Sequence, residues 1–228
     1  MSGAALWVMI AAMGVYQGVN PPMGWLYAVG RGFERGSTGA VLSGTTELAA
    51  GHYLAMLALG LPAALVLALG RADPMLIEPW VGIVLIAFGV FKLVRPRHPR
   101  LLARIPPSRP VSWSFAMACT HCGSPVMMLA PLASVLALLA VSGGAGPGLG
   151  LRVGWFAAAA VIVPGVMAAS LFATASLVAV LVYRRLGLRA LTRVWINLDL
   201  GWAVVFMLMG VMALGMGMGI PIPGCHPA

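Results

Sequence analysis

Apolar residues run almost unbroken through six stretches of the chain: Ala4 to Gly30, Thr38 to Leu69, Pro79 to Val94, Val111 to Val141, Val153 to Tyr183 and Val194 to Gly219. Neither the alternation of a half-buried strand nor the one-sided stripe of a soluble amphipathic helix is present. Runs of this length match the roughly 20 residues that a helix needs to cross about 30 Å of hydrocarbon. The expected fold is therefore an all-α integral membrane protein with six spans, several of them long or interrupted.

The polar segments between the runs are unequal. Arg31 to Ser37, Arg95 to Pro110 and Arg184 to Arg193 hold eleven of the 14 basic residues, whereas the alternate loops hold only Arg71 and Arg152, and Lys92 closes the third run. Cytoplasmic loops carry such an excess, so both termini are expected on the outer side of the inner (plasma) membrane. The stretch after Met1 lacks an early basic residue and an Ala-x-Ala cleavage pattern, so the first span is expected to be retained. With an odd number of spans on each side of the basic linker 95–110, segments 1–94 and 111–228 become two three-helix halves of opposite orientation within one membrane domain. Inverted repeats of this kind are common in secondary transporters.

Each half opens on a span interrupted by proline, at Asn20-Pro21-Pro22 and at Cys122-Gly123-Ser124-Pro125. Proline lacks an N–H and crowds the preceding turn. The carbonyls of Gln17, Gly18 and His121 are then expected to lose helical partners, which in lipid is tolerated only where they line a cavity or are covered by protein. A simple kink explains one such break; two at matching places point to a central site.

Composition sharpens this picture. The chain is 61% hydrophobic and 8% charged, with a mean hydropathy of +0.99, while soluble domains carry roughly a quarter charged residues. The net charge of +9 would suggest nucleic acid in a soluble protein; distributed between spans it sets orientation instead, and no nucleic-acid partner is expected.

The chemistry-bearing residues cluster at the breaks and in the second span. Glu47 falls about midway into the core, and an ionisable group there is a candidate proton carrier or cation partner; hydrogen bonding to Ser43 or Thr46 is the plainer alternative. His52 lies roughly 140° around a helix from Glu47, so the two do not share a face; it could ligate a metal, relay a proton or simply bond within the bundle. Cys119 and Cys122 are about 60° apart on a regular helix, and His121 joins them only if the turn unwinds. Thiolate and imidazole favour Cu(I) or Zn(II), with Met117, Met127 and Met128 as further sulfur, so a bound Cu or Zn ion is a candidate cofactor. Buried cysteine and methionine also simply pack. Asn197 and Asp199 start the last span, where pairing with Arg189 or Arg193 is the expected role. Met212, Met216, Met218, Cys225 and His226 could receive a departing soft metal, or the methionines could face lipid.

Taken with Gly30-Arg31-Gly32-Phe33-Glu34-Arg35-Gly36, Gly51-His52, Gly60-Leu61, the Gly-x-x-x-x-x-Phe-Gly-x-x-Lys of Gly82 to Lys92, and Trp195-Ile196-Asn197 leading to Gly201 and Gly210, the Asn20-Pro21-Pro22 break resembles the LysE superfamily of small six-helix exporters. The resemblance implies export of a small solute, an amino acid or a metal cation, coupled to an ion gradient, with Asn20, Pro21, Pro22, Glu47, His52 and Pro125 at the transport site, and it is compatible with a homodimer in the bilayer. Exporters of amino acids in this group usually carry Asn-Pro at the fourth helix; Cys119 to Pro125 in its place points away from that cargo. More distantly the chain resembles the CcdA and DsbD membrane thiol transporters, which implies a thiol–disulfide role for Cys119 and Cys122 as the alternative, although the first span here has no cysteine. A structural subunit of a membrane complex is the third reading.

Overall fold

The computed structural model describes residues 3–70, 74–94, 105, 108–141, 148–186 and 198–218, and every regular element among them is helical. In chain order these are α1 (Gly3–Val19), a 3-10 turn (Pro21–Met23), α2 (Trp25–Arg35), α3 (Thr38–Ala68), α4 (Pro74–Val94), α5 (Pro110–Met117), a π turn (Ala118–Cys122), α6 (Ser124–Val141), α7 (Leu149–Leu181) with a second π turn (Val182–Leu186), and α8 (Leu198–Gly217).

Two helices, Thr38–Ala68 and Leu149–Arg185, are long and apolar enough to cross a membrane, and α5 with α6 adds a third if that pair, bent by 70°, is one span. Large apolar side chains face outward, Trp80 and Leu177 being 70% exposed. In water such a surface would aggregate, whereas in lipid it costs nothing. The chain is a membrane protein. Its helices accordingly lack the apolar stripe of soluble ones, with α2 as the exception: Trp25, Ala28, Val29 and Gly32 are buried at helical spacing while Glu34 and Arg35 are exposed.

The boundaries differ from the apolar runs in instructive ways. Arg31 to Arg35 belong to α2 rather than to a loop, because Gly32 lets α2 pack against Val41 and Tyr183, and Ala28 meets α3 at Gly44. The α2–α3 joint shrinks to two residues: Gly36, left-handed at φ +60, returns its N–H to Gly32, and the Ser37 hydroxyl accepts the Ala40 N–H at 3.1 Å. The helix of the third apolar run, α4, begins at Pro74, not Pro79; proline in a first turn sacrifices no helical bond. Residues 95–104, 187–197 and 219–228, including Arg189, Arg193, Asn197, Cys225 and His226, lie outside the described residues.

The antiparallel helices α3 and α7 form the backbone of the bundle. Bonds join them at successive levels: Arg184 Nε to Thr38 Oγ1 at 3.2 Å, Thr45 to Ser176 at 2.8 Å, Tyr53 Oη to the Val161 carbonyl at 3.3 Å and Arg152 Nη2 to the Leu67 carbonyl at 3.3 Å. At the Thr38 end Phe33 packs against Tyr183 with ring centres 5.1 Å apart and planes tilted by 59°, and Arg35, Arg184 and Arg185 gather at that pole.

Other crossings are glycine-built. Gly14 and Gly18, one turn apart, press α1 onto the backbone of α7, and a Cβ on Gly18 would stand 2.6 Å from the Leu171 carbonyl oxygen. Gly82 and Gly89 set α4 on α8, where added Cβ atoms would stand 2.7 and 2.8 Å from the Gly210 and Ala203 carbonyl oxygens. Gly51 admits the Val111 and Ser114 stretch of α5 against α3. Helices in lipid gain no hydrophobic energy from meeting, so close backbone approach through small residues is what holds them.

Candidate functional site at the two broken spans

The first break follows from its prolines. Asn20, extended at φ −77 and ψ 121, ends α1 as a residue before proline should. The backbone then makes a 3-10 turn closed by Gly24 at φ +102, whose N–H reaches the Pro21 carbonyl at 3.0 Å. Not every expected orphan appears. The Gln17 carbonyl accepts the Asn20 N–H at 3.1 Å, and the Val19 carbonyl accepts the Trp25 indole N–H at 3.1 Å.

The second break is built differently. Residues 118–122 widen into a π turn, Gly123 turns left-handed at φ +57, and Ser124 starts α6. Thr120 Oγ1 donates to the Ala116 carbonyl at 2.6 Å, and Ser114 Oγ ties α5 to the Leu48 carbonyl of α3 at 2.6 Å. Gly123 sits where a Cβ would meet the rings of Phe88 and Phe206 at 3.2 and 3.3 Å, the two rings forming an edge-to-face pair. Pro125 is buried beside it.

The backbone at the breaks is largely satisfied; the side chains are not. Gln17, Asn20 and Ser124 are buried, and Gln17 Nε2, Asn20 Oδ1 and Ser124 Oγ have no hydrogen-bond partner among the described residues. Each unmade bond in a buried site costs about 1–3 kcal/mol, and a native structure retains such groups where something else engages them. Two belong to the first break and one to the second. His52, 1% exposed on α3, bonds through Nε2 to Gln17 Oε1 at 3.1 Å. An amide oxygen only accepts, so the imidazole carries its proton on Nε2 and directs the free Gln17 amide N–H2 elsewhere.

A cavity of about 230 Å³ lies between α1, α6 and α8, with its lining beginning about one turn from each break and including none of Gln17, Asn20 or Ser124. Met13 and Tyr16, the turn before Gln17, line one wall, and Met127, one turn past Gly123, lines another; Met209 and Met212 of α8 complete it.

Glu47 is not a lone carboxyl. Arg31 Nη1 lies 2.7 Å from each of its oxygens, and Ser43 Oγ donates to it at 3.1 Å, while Thr46 turns to the Leu42 carbonyl instead. Glu47 therefore faces α2, and His52 faces α1, so the two do not act together. A second carboxyl the apolar runs pass over is more deeply placed: Glu78, 3% exposed in α4, accepts from Ser134 Oγ of α6 at 2.7 Å and makes no ion pair among the described residues. Its signal in the sequence is an acid directly preceding Pro79, inside rather than before the helix.

Cys119 is exposed and unbridged. The π turn closes i→i+5 rather than i→i+4, so the α-helical spacing assumed for Cys119 and Cys122 does not hold there. The side chains of Pro22, His121, Cys122, Asp199 and Met216 lie outside the described residues, and no group of three His, Cys, Asp or Glu able to hold a metal occurs among the described ones. Met128 and Met117 are buried packing residues, and Met218 is exposed. Gln17 and Ser124 went unremarked as side chains in the sequence, though each is a polar residue adjoining a break. Compared with family models, curated proteins and solved structures, the chain matches none.

Proposed function

We propose that the protein is a six-span transporter of the LysE exporter type, carrying a small solute through a site between its two broken spans. The six spans are α1 with α2, α3, α4, α5 with α6, α7, and α8, arranged as inverted halves. The observation that carries the reading is the trio of unpartnered buried polar atoms, Gln17 Nε2, Asn20 Oδ1 and Ser124 Oγ, shared between the two breaks. A donor, an acceptor and a hydroxyl presented within a membrane suit a small polar or cationic cargo shedding its water.

The packing supports the repeat. Exchanging α1, α2, α3 and α4 with α5, α6, α7 and α8 turns the contact of α1 with α7 into that of α5 with α3, and the contact of α2 with α3 into that of α6 with α7. The pairs α3 with α7 and α4 with α8 map onto themselves. The packing of α4 on α6, and the slighter contacts of α6 with α1 and with α8, lack a counterpart of similar extent. Arginines at the Thr38 pole favour that pole as cytoplasmic, with termini outside.

In this mechanism the halves rock about α3 and α7, and Glu78, rather than the Arg31-bound Glu47, exchanges the coupling proton. Reconstituted protein should move at least one of Ag(I), Zn(II) or a radiolabelled amino acid, with the rate falling about tenfold when one cargo bond is removed by Asn20→Leu or Ser124→Ala, as expected for roughly 1.4 kcal/mol. Absence of flux for all three probes counts against transport. If Cys119 and Cys122 then form mixed disulfides with a thioredoxin, the thiol–disulfide role takes its place; a redox-inert protein copurifying with partners is a structural subunit.

A further inference from the structure

Resting on that transport reading, we infer that the cavity beside the breaks is a thioether site for a soft monovalent cation, Cu(I) or Ag(I), and that such an ion is the cargo. Five of the eleven residues lining the cavity are methionine, Met9, Met13, Met127, Met209 and Met212, against 15 among the 228 residues of the chain. They come from three helices, so no single stripe of sequence accounts for them. Among the described residues, Tyr16 is the one polar side chain in the lining, and no carboxylate, imidazole or ammonium joins it.

That donor set is selective. Thioether sulfur prefers Cu(I) among biological ions, whereas Zn(II) and Mg(II) seek imidazole, thiolate or oxygen. A single positive charge also costs less to desolvate in an apolar wall than a double one. Methionine is unbranched and flexible, so three or four side chains can close on an ion. At about 230 Å³ the space is below the roughly 300–1,000 Å³ of pockets that hold drug-sized molecules. A large organic cargo is a poor fit.

The methionines also grade outward. Met127 and Met13 are 0% and 6% exposed next to the two breaks, and Met212 reaches 38%. An ion released from the polar site at Gln17, Asn20 and Ser124 would meet buried sulfur first and exposed sulfur last, in exchanges between like ligands that leave no deep trap.

The test uses the full chain with Cys119→Ser, Cys122→Ser and Cys225→Ser, purified in detergent, so that thiolates cannot contribute. Titrated with Ag(I), and with Cu(I) against a competing chelator, this protein should bind about one ion, with sulfur as the only near neighbour in X-ray absorption. The triple change Met13→Leu, Met127→Leu and Met209→Leu conserves volume and should weaken binding at least tenfold, while Met56→Leu, a buried methionine outside the cavity, should not. If the triple variant fails to fold, Met127→Leu alone should still weaken binding. No Ag(I) bound, a nitrogen or oxygen shell, or equal binding by the cavity variants would overturn the site. Flux of another solute with no Ag(I) binding would reject this cargo and keep the transporter; Ag(I) binding without flux of any probe would do the reverse.

Discussion

The chain breaks between α1 and α2 and between α5 and α6 for different reasons, and the contrast bears on which parts of the proposed centre are fixed. At Asn20 to Gly24 two prolines remove backbone donors, and the 3-10 turn, Gly24 and the Trp25 indole repair the damage. Fewer backbones are open to that segment, because each proline holds φ near −65° and has no N–H to rebond. At Ala118 to Gly123 there is no proline inside the turn; the span widens through a π turn and escapes through one left-handed glycine. π turns recur at functional sites and differ from α-helix by a shift of hydrogen-bond partner. In our account the first break is the rigid wall of the site and the second is the wall that moves.

Stability measurements can break that contrast. The largest effect is expected for Gly24→Ala: φ +102 lies outside even the left-handed helical well, and the new Cβ would stand 2.9 Å from Leu48 and 3.0 Å from Trp113. A loss of more than about 2 kcal/mol in denaturant unfolding is expected. Gly123→Ala, at φ +57, should lose only about 1–2 kcal/mol. If Gly123→Ala proves the worse of the two, the second break is the more tightly held, and the assignment of wall and gate is reversed.

Next come the unpartnered atoms. Asn20→Leu and Ser124→Ala each remove a buried polar group without a protein partner, so each should stabilise the fold by about 1 kcal/mol while lowering flux. Loss of both stability and flux would mean that these groups are structural. The smallest effects separate the carboxyls. Glu47→Gln breaks a partly buried pair with Arg31 and should cost about 0.5–1 kcal/mol with flux retained. Glu78→Gln keeps an acceptor for Ser134, so it should leave stability almost unchanged and make flux independent of the proton gradient.

The positions of both breaks were legible because proline and glycine act locally, through a missing N–H and a missing Cβ. Their architecture was not. Whether Asn20 or Ser124 finds a partner depends on what α3, α6 and α7 place beside it, which no spacing along the chain encodes. Glu47 was legible as an intramembrane acid, but its partner was hidden because Arg31 reads as loop until α2 is seen to continue through Gly32 onto Val41. The Cys119 and Cys122 spacing suggested one helical face, and the π turn removed that premise. Gly14 and Gly18 carry a small-xxx-small signal that could have placed α1 on a partner helix in advance. Met127 and Met212 were legible as candidate sulfur ligands, but the methionine cavity that joins them needed three helices at once.

The central claim is that the two breaks enclose one site open alternately to each side. In a background lacking Cys119, Cys122 and Cys225, Asn20→Cys and Ser124→Cys can be challenged with a charged, membrane-impermeant thiol reagent in right-side-out and in everted vesicles. The account predicts that both positions react from both sides. Failure of either position to react from either side, or reaction from one side only, would contradict it.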